Sequence, residues 1–334
     1  MTDEYISKAP TITIFDGLVK AKSVLASHHN ILVSVSGGAD SDCMIDIVQN
    51  LAPKDDEHKI TYVWLDTGIE MDATKRQLNY LEDKYGIKIL GRRAKITVPA
   101  AIAKMGYPFF SKDYSERINH LQRHNFSWDV ETKEELTKKY PNSKDALGWW
   151  CGTKGKYAIS KVMQDYIHEN PPDFPISDKC CYYAKKKPSA DMEKELKADL
   201  VCLGLRRAEG GARSSISRCF NPGKGKADRY YPCFWWTDED KSAFEQTYNI
   251  VHSDAYKVYG FKRTGCAGCP FNSKFEEEVK ILHQYEPKLA NAVEHIFAPS
   301  YEYTRAYRKF KESRKKNERK KSRKYWFRQH LVQC

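Results

Sequence analysis

The sequence predicts an α/β fold, doubly wound around a mostly parallel sheet, with a helical insertion and a helical C-terminal extension. Three observations carry that expectation. Apolar strand patterns alternate with helical patterns through the first half of the 334 residues, which is the signature of parallel strands joined by crossover helices. The first strand, ILVSVS, is apolar enough to be buried on both faces. It runs straight into Gly37-Gly38 and then a helical pattern, so the chain turns sharply where side chains would obstruct a close approach.

The elements follow in order. ILVSVS precedes a helix over 40–51, KITYVWLD precedes a helix over 71–85, and IKIL precedes a helical stretch after Pro99. Residues from about 107 to 175 are polar, rich in Lys, Asn and Trp, and only weakly periodic, which reads as helices and loops inserted over the sheet. Strand patterns resume at ADLVCLGLRR and RYYPCFWW. From Ser273 onward the pattern is helical, and FEEEVKILHQYEPKLANAVEHIF is amphipathic. There is no internal repeat.

Composition narrows the function classes. No run of about 18 apolar residues occurs, and the N-terminus lacks the charged-then-apolar pattern of a secretory signal, so a cytoplasmic protein without a membrane partner is expected. Ten cysteines in that setting read as metal ligands, reactive thiols or buried apolar residues rather than a disulfide framework. The net charge of +12 is concentrated in residues 305–328, which hold thirteen Lys or Arg against Glu312 and Glu318. Such a tail suits a polyanion, because clustered cations bind phosphate backbones without regard to sequence. Its central part, 311–324, has no apolar face for packing, while Tyr325, Trp326 and Phe327 are expected to anchor its end against the domain or, alternatively, to stack on bases.

In open α/β sheets ligands bind beyond the carboxyl ends of the strands, and amides at a helix N-terminus favour anions. Ser36, Gly37, Gly38, Asp40 and Ser41 occupy that place. The stretch matches neither Gly-x-Gly-x-x-Gly nor the Walker pattern. It is Ser-Gly-Gly-x-Asp-Ser, and it resembles the PP-loop of the ATP pyrophosphatase and phosphoadenosine phosphosulfate (PAPS) reductase superfamily, whose fold is adenine nucleotide alpha-hydrolase-like. WLDTGIEMDAT, LGLRRAEGGARS, WWTDEDKSAFEQTYNI and GFKRTGCAGCPF resemble further stations of that family in its order, and WWCGTKGKYA is a looser match. The resemblance covers residues 29–285, with the insertion inside it, and leaves 1–28 as an N-terminal extension and 286–334 as a helical basic tail.

The resemblance implies an adenine nucleotide, ATP or alternatively PAPS or adenylyl sulfate (APS), held by Ser34, Ser36, Gly37, Gly38, Asp40, Ser41, Asp66, Thr67, Gly68, Gly204 and Arg206. It also implies catalytic roles for Asp40, Arg206 and Arg213, and a magnesium ion. Physically, guanidinium groups near a strand's carboxyl end suit phosphate or sulfate. Arg206, Arg207 and Arg213 alternatively pair with Glu209 or Asp228. Asp66 either orients the nucleotide or binds magnesium, or else caps the following turn. Asp40 has the same capping alternative.

Cys266 and Cys269 form one Cys-x-x-Cys, and the adjacent Cys180 and Cys181 precede it with eighty-four residues between. Alone, the pair suits zinc, a redox couple or a cluster. The full arrangement resembles the ligand pattern of sulfonucleotide reductases that carry a [4Fe–4S] cluster, for which four thiolates are required. Lys179, Lys185, Lys186 and Lys187 stand beside it and would favour thiolates. Cys43, Cys202 and Cys233 lie in apolar runs and read as packing residues. Cys151 and Cys219 are open as sulfur carriers.

The family admits two chemistries. Its reductases attack sulfate with the cysteine of a C-terminal Glu-Cys-Gly-x-His segment, whereas the C-terminal cysteine here, Cys334, stands in HLVQC. They also commonly modify the glycine loop, which here is the full form of the ATP-cleaving members. The expectation is therefore an enzyme of sulfur chemistry that adenylates an oxygen with ATP and transfers sulfur to a nucleic acid. The alternatives are a PAPS or APS reductase forming sulfite, and a nucleotide- or nucleic-acid-binding module without turnover. A sulfur donor or a thioredoxin-like reductant would be a further partner.

Overall fold

The computed structural model describes residues 2–153, 155 and 158–330. The chain divides into two units, each assembled from separate stretches. The first comprises residues up to 98, 181–267 and 280–290; the second comprises 99–180, 268–279 and the chain from 291 onward.

The first unit is built on six strands: β1 (Asn30–Val35), β2 (Lys59–Asp66), β3 (Ile89–Arg93), β4 (Leu200–Leu203), β5 (Phe220–Asn221) and β6 (Asp228–Tyr230). Their order across the sheet is β3-β2-β1-β4-β6-β5. All neighbours are parallel except β5 and β6, which pair antiparallel. Strand β1 is central, with Val33 opposite both Tyr62 and Cys202. Successive side chains alternate between faces. Ile31, Val33 and Val35 therefore join the main core with Leu18, Met44 and Ile47, while Leu32 joins Val63, Met192, Val201 and Ala227 on the other side. Burial on both faces is why this strand reads as a continuous apolar run.

The expected doubly wound fold is present, with local differences. RYYPCFWW is strand only at Asp228–Tyr230, because Pro232 has no amide to donate to a ladder; Cys233, Phe234 and Trp236 are buried in turns instead. The strand expected at IKIL begins at Ile89 and continues to Arg93. The two-residue β5 is too short to show a periodic signal. Residues 1–28, expected as an extension, supply the Thr2–Ser7 and Ile12–Ala26 helices. Ile14, Leu18, Ala21 and Leu25 of the latter are fully buried in the main core.

The second unit has an aromatic core. Phe109, Phe126, Trp128, Trp149, Trp150 and Tyr166 are buried together, several in edge-to-face pairs. Trp150 Nε1 donates to the Asp129 carbonyl at 2.7 Å, which satisfies the polar edge of a buried ring. The long Pro287–His330 helix contributes Tyr307 to this core, with Tyr303 and Phe310 packed against it; Val293, Phe297 and Tyr301 are buried along the same helix. Its basic stretch is therefore not uniformly unpartnered. Arg305 and Arg308 pair with Glu276, and Arg314 pairs with Asp165 and Glu169. Lys309, Lys311, Lys315 and Lys316 are exposed. Among the described residues no helix is long and apolar enough to cross a membrane.

Candidate nucleotide site

The glycine turn sits at the carboxyl end of β1. Gly37 adopts φ +65°, and a Cβ there would lie 2.7 Å from Thr74 Cγ2, so both conformation and space require glycine. Gly38 precedes the Ala39–Leu51 helix in an extended conformation and uses no side-chain cap. The turn holds itself together: the Ser36 amide donates to Ser41 Oγ at 3.1 Å and the Gly38 amide donates to Ser36 Oγ at 3.3 Å. Gly204 follows β4, and a Cβ there would fall 2.6 Å from the Ser41 amide nitrogen. The glycine thus lets the end of β4 abut the start of the Ala39–Leu51 helix. Ser34 lies in β1 opposite Val63 and Leu203.

Asp40 is not a helix cap. Its carboxylate receives Arg206 Nε at 2.9 Å and lies 3.6 Å from Lys241 Nζ. Arg206 is buried and also meets Asp238 at 2.9 Å and the Thr237 carbonyl at 3.0 Å. Burial works against its charge, but Asp40 and Asp238 outweigh that and hold its pKa above the usual value. The guanidinium expected at phosphate clamps Asp40 of the turn to the residues before the Asp238–Thr247 helix through Nε and Nη1. Arg213 pairs with Glu209, the structural alternative to a phosphate contact, and Arg207 stacks over the Trp235 ring.

Below the same turn, fully buried Asp42 accepts His252 Nδ1 at 2.8 Å and Gln77 Nε2 at 3.2 Å. Burial pushes Asp42 up to about 6, against the opposing bonds from His252 and Gln77. His252 Nε2 lies 2.7 Å from Glu245. Burial alone would lower its pKa, yet the two carboxylates raise it to about 9, so it is an imidazolium at neutral pH. Asp42, Lys241 and His252 carry no sequence signal because charges inside helical or loop segments resemble a solvated face.

At the end of β2, Asp66 accepts the Gly68 amide at 2.8 Å and lies 3.6 Å from Arg93. Thr67 donates its hydroxyl to Glu70 at 2.6 Å. Gly68 takes φ +90°, and a Cβ there would lie 2.9 Å from Thr97 Cβ. Asp66, the acid considered for magnesium, is partly exposed and fits that role, whereas Asp40 is already compensated by Arg206 and Lys241.

Thr67 Oγ1 lies 3.8 Å from Cys266 Sγ. Burial raises the Cys266 thiol, and the Lys185 ammonium opposes that rise. Despite burial, Cys266, Glu70 and Cys181 together hold Lys185 above its ordinary pKa. Lys185 thus interacts with both Cys181 and Cys266 within the first unit. Cys180 and Cys269 belong to the second unit, where Cys180 is buried and Cys269 neighbours Tyr301. Among the described residues no three Cys, His, Asp or Glu side chains are gathered closely enough to hold a metal ion. None of the nine described cysteines forms a disulfide. Cys43, Cys202 and Cys233 are fully buried, as expected, while Cys151 and Cys219 are half-buried. Cys334 and the side chains of Tyr325, Trp326 and Phe327 lie outside the described residues.

A mostly parallel sheet with a strand–Gly–Gly–helix turn at its central strand puts these residues where α/β proteins bind nucleotides. The sequence profile of the phosphoadenosine phosphosulfate reductase domain matches residues 30–141 and 122–272, and the chain belongs to that family. It is 28% identical over 148 residues to an adenosine 5'-phosphosulfate reductase of Neisseria meningitidis, a match spanning 44% of this chain and about half (54%) of that protein. It is 24% identical over 285 residues to a 37.8 kDa protein of Escherichia phage 186, covering 79% of this chain and 73% of the other. Solved structures similar to it include a PAPS reductase from Candida auris (TM-score 0.38, 14% identity, covering 71% of this chain and 81% of that one). Another is a U34-tRNA thiolase from Methanococcus maripaludis with its [4Fe–4S] cluster (TM-score 0.38, 11% identity, covering 88% and 78%).

Proposed function

We propose that this chain is an adenine-nucleotide-dependent enzyme of sulfur chemistry that binds ATP at residues 36–41 and transfers sulfur to a nucleic acid. The observation that carries this reading is the bare turn at Gly37 and Gly38, closed by Ser36 and Ser41 at the end of the central strand. A substrate oxygen would attack the α-phosphorus of ATP, releasing pyrophosphate. A sulfur nucleophile would then displace the adenylate, with AMP leaving. Loop amides would hold the phosphates, and Asp66 would hold magnesium against the departing pyrophosphate. Asp40, Arg206 and Lys241 would keep the first turn of the Ala39–Leu51 helix in place.

Reduction of PAPS or APS is the second reading. It is favoured by the 28% identical stretch shared with the Neisseria reductase.

In either reaction Cys180, Cys181, Cys266 and Cys269 would hold a [4Fe–4S] cluster, which supplies redox-active iron to the sulfur chemistry. The Lys185 ammonium would favour the thiolate form of Cys181 and Cys266. Anaerobically purified protein is expected to be brown and to contain about four irons per chain, falling sharply in Cys266→Ser. Colourless protein with about one zinc would sink the assignment.

The nucleic-acid partner rests on the basic helix beyond Arg314. Because residues 305–314 pack and pair within the second unit, the useful variant changes charges beyond them: Lys315, Lys316, Lys320 and Lys321 to Gln in the full chain. That variant is expected to bind DNA and RNA more weakly at low salt, with a shallower salt slope by about 0.9 per lost phosphate contact on duplexes. An unchanged salt series would remove the helix from recognition.

A further inference from the structure

The amide of Ala39 opens the helix after the glycine turn, and it is a donor that an anion at this N-terminus would engage. Here it donates to Tyr256 Oη at 3.1 Å. Thr264 Oγ1 lies 3.2 Å from the same phenol oxygen. A Cβ built on Gly38 would lie 3.0 Å from Thr264 Oγ1 and 3.3 Å from Tyr256 Oη. Two hydroxyls from a distant part of the sequence therefore stand over the one backbone position that glycine leaves open.

Both are delivered by well-anchored segments of the first unit. Tyr256 lies on the short Asp254–Lys257 helix, which is tied down by Ser253 Oγ donating to the Ala73 carbonyl at 3.2 Å and by Arg76 on Asp254 at 2.9 Å. His252, just before that helix, is fixed on Asp42. Thr264 is followed by Ala267, whose amide donates to the Ile69 carbonyl at 3.3 Å.

We propose that Tyr256 is the placeholder of the nucleotide site: its hydroxyl occupies the Ala39 amide until a phosphate oxygen of the nucleotide takes that amide over. This rests on reading residues 36–41 as the phosphate loop. A buried amide without a partner is costly, so a neutral phenol oxygen keeps the empty turn in its binding shape. A charged phosphate oxygen is the stronger acceptor and wins the exchange. Tyr256 and Thr264 then retreat from Gly38. The phenol is thus a built-in competitor, and it sets affinity for the anion without contributing to the chemistry.

Calorimetric titration of the full chain with inorganic pyrophosphate, and separately with ATP, tests this. Tyr256→Phe keeps the ring and deletes the competing oxygen, so both ligands are expected to bind tighter, on the order of three- to tenfold. Thr264→Ala clears the other hydroxyl and is expected to tighten binding by a smaller factor; it carries the test if Tyr256→Phe fails to fold, as judged by thermal unfolding. Equal affinity in the variant overturns the proposal, and weaker affinity makes Tyr256 a phosphate ligand instead. If the wild-type chain binds neither pyrophosphate nor ATP, the phosphate-loop reading itself falls, and this inference with it.

Discussion

Gly38→Val is expected to abolish binding of ATP and pyrophosphate while leaving the fold intact. The backbone at Gly38 has φ −97° and ψ 155°, which valine adopts without strain. The atoms its Cβ would meet are the hydroxyls of Thr264, Ser36 and Tyr256, at 3.0, 3.2 and 3.3 Å. These are ends of side chains that can give way. The methyl groups would then fill the space a phosphate needs. The neighbouring glycines offer no such separation. Gly37 is left-handed and closed by Thr74, and Gly204 faces the backbone of Asp40 and Ser41, so their substitution would disturb folding and binding together. Calorimetry with pyrophosphate, beside a thermal melt, checks the expectation. Unchanged affinity in a folded Gly38→Val protein would remove the loop from the mechanism.

Arg206→Met is expected to destabilise the first unit by about 3 kcal/mol, the scale for removing one partner of a buried ion pair. Asp40 would keep only Lys241, at 3.6 Å, and the Thr237 carbonyl would lose its donor. Urea denaturation measures the loss. Adding Asp40→Asn to the same protein should recover much of it, because the uncompensated charge is gone. A wild-type urea midpoint for Arg206→Met would mean that the guanidinium is not a clamp, and its expected role at phosphate would return.

The strands of the sheet were legible because burial on both faces writes itself as continuous apolar runs, as in β1 and KITYVWLD. The glycine turn was legible because Gly37 answers to a steric demand that no other residue meets, and Gly204 beside it does the same at the end of β4. What the sequence concealed depends on long-range partners. Arg206 looks suited to a phosphate, to Glu209 or to Asp228, and only the fold brings the Asp40 carboxylate to 2.9 Å. Tyr256 carries no motif, since a hydroxyl reaching a backbone amide from 217 residues away leaves no periodic trace; Thr264 lies within GFKRTGCAGCPF, but nothing in that stretch shows that its hydroxyl meets Tyr256. The second unit was opaque for a different reason. Its core is made of aromatic rings on short helices, closed by Tyr303, Tyr307 and Phe310 of the long helix, so no single stretch shows the periodicity of a complete amphipathic element.

Cleavage of ATP at the glycine turn to drive sulfur transfer has a distinct set of products. The most direct test gives anaerobically prepared full-length protein ATP with magnesium, a nucleic acid and a sulfide or persulfide donor, and in parallel PAPS or APS with a dithiol reductant. Pyrophosphate, AMP and sulfite are then quantified. The account predicts pyrophosphate and AMP from ATP in equal amounts, dependent on the nucleic acid and lost in Gly38→Val, with no sulfite from either sulfonucleotide. Sulfite release from PAPS or APS, with ATP left intact, would contradict it.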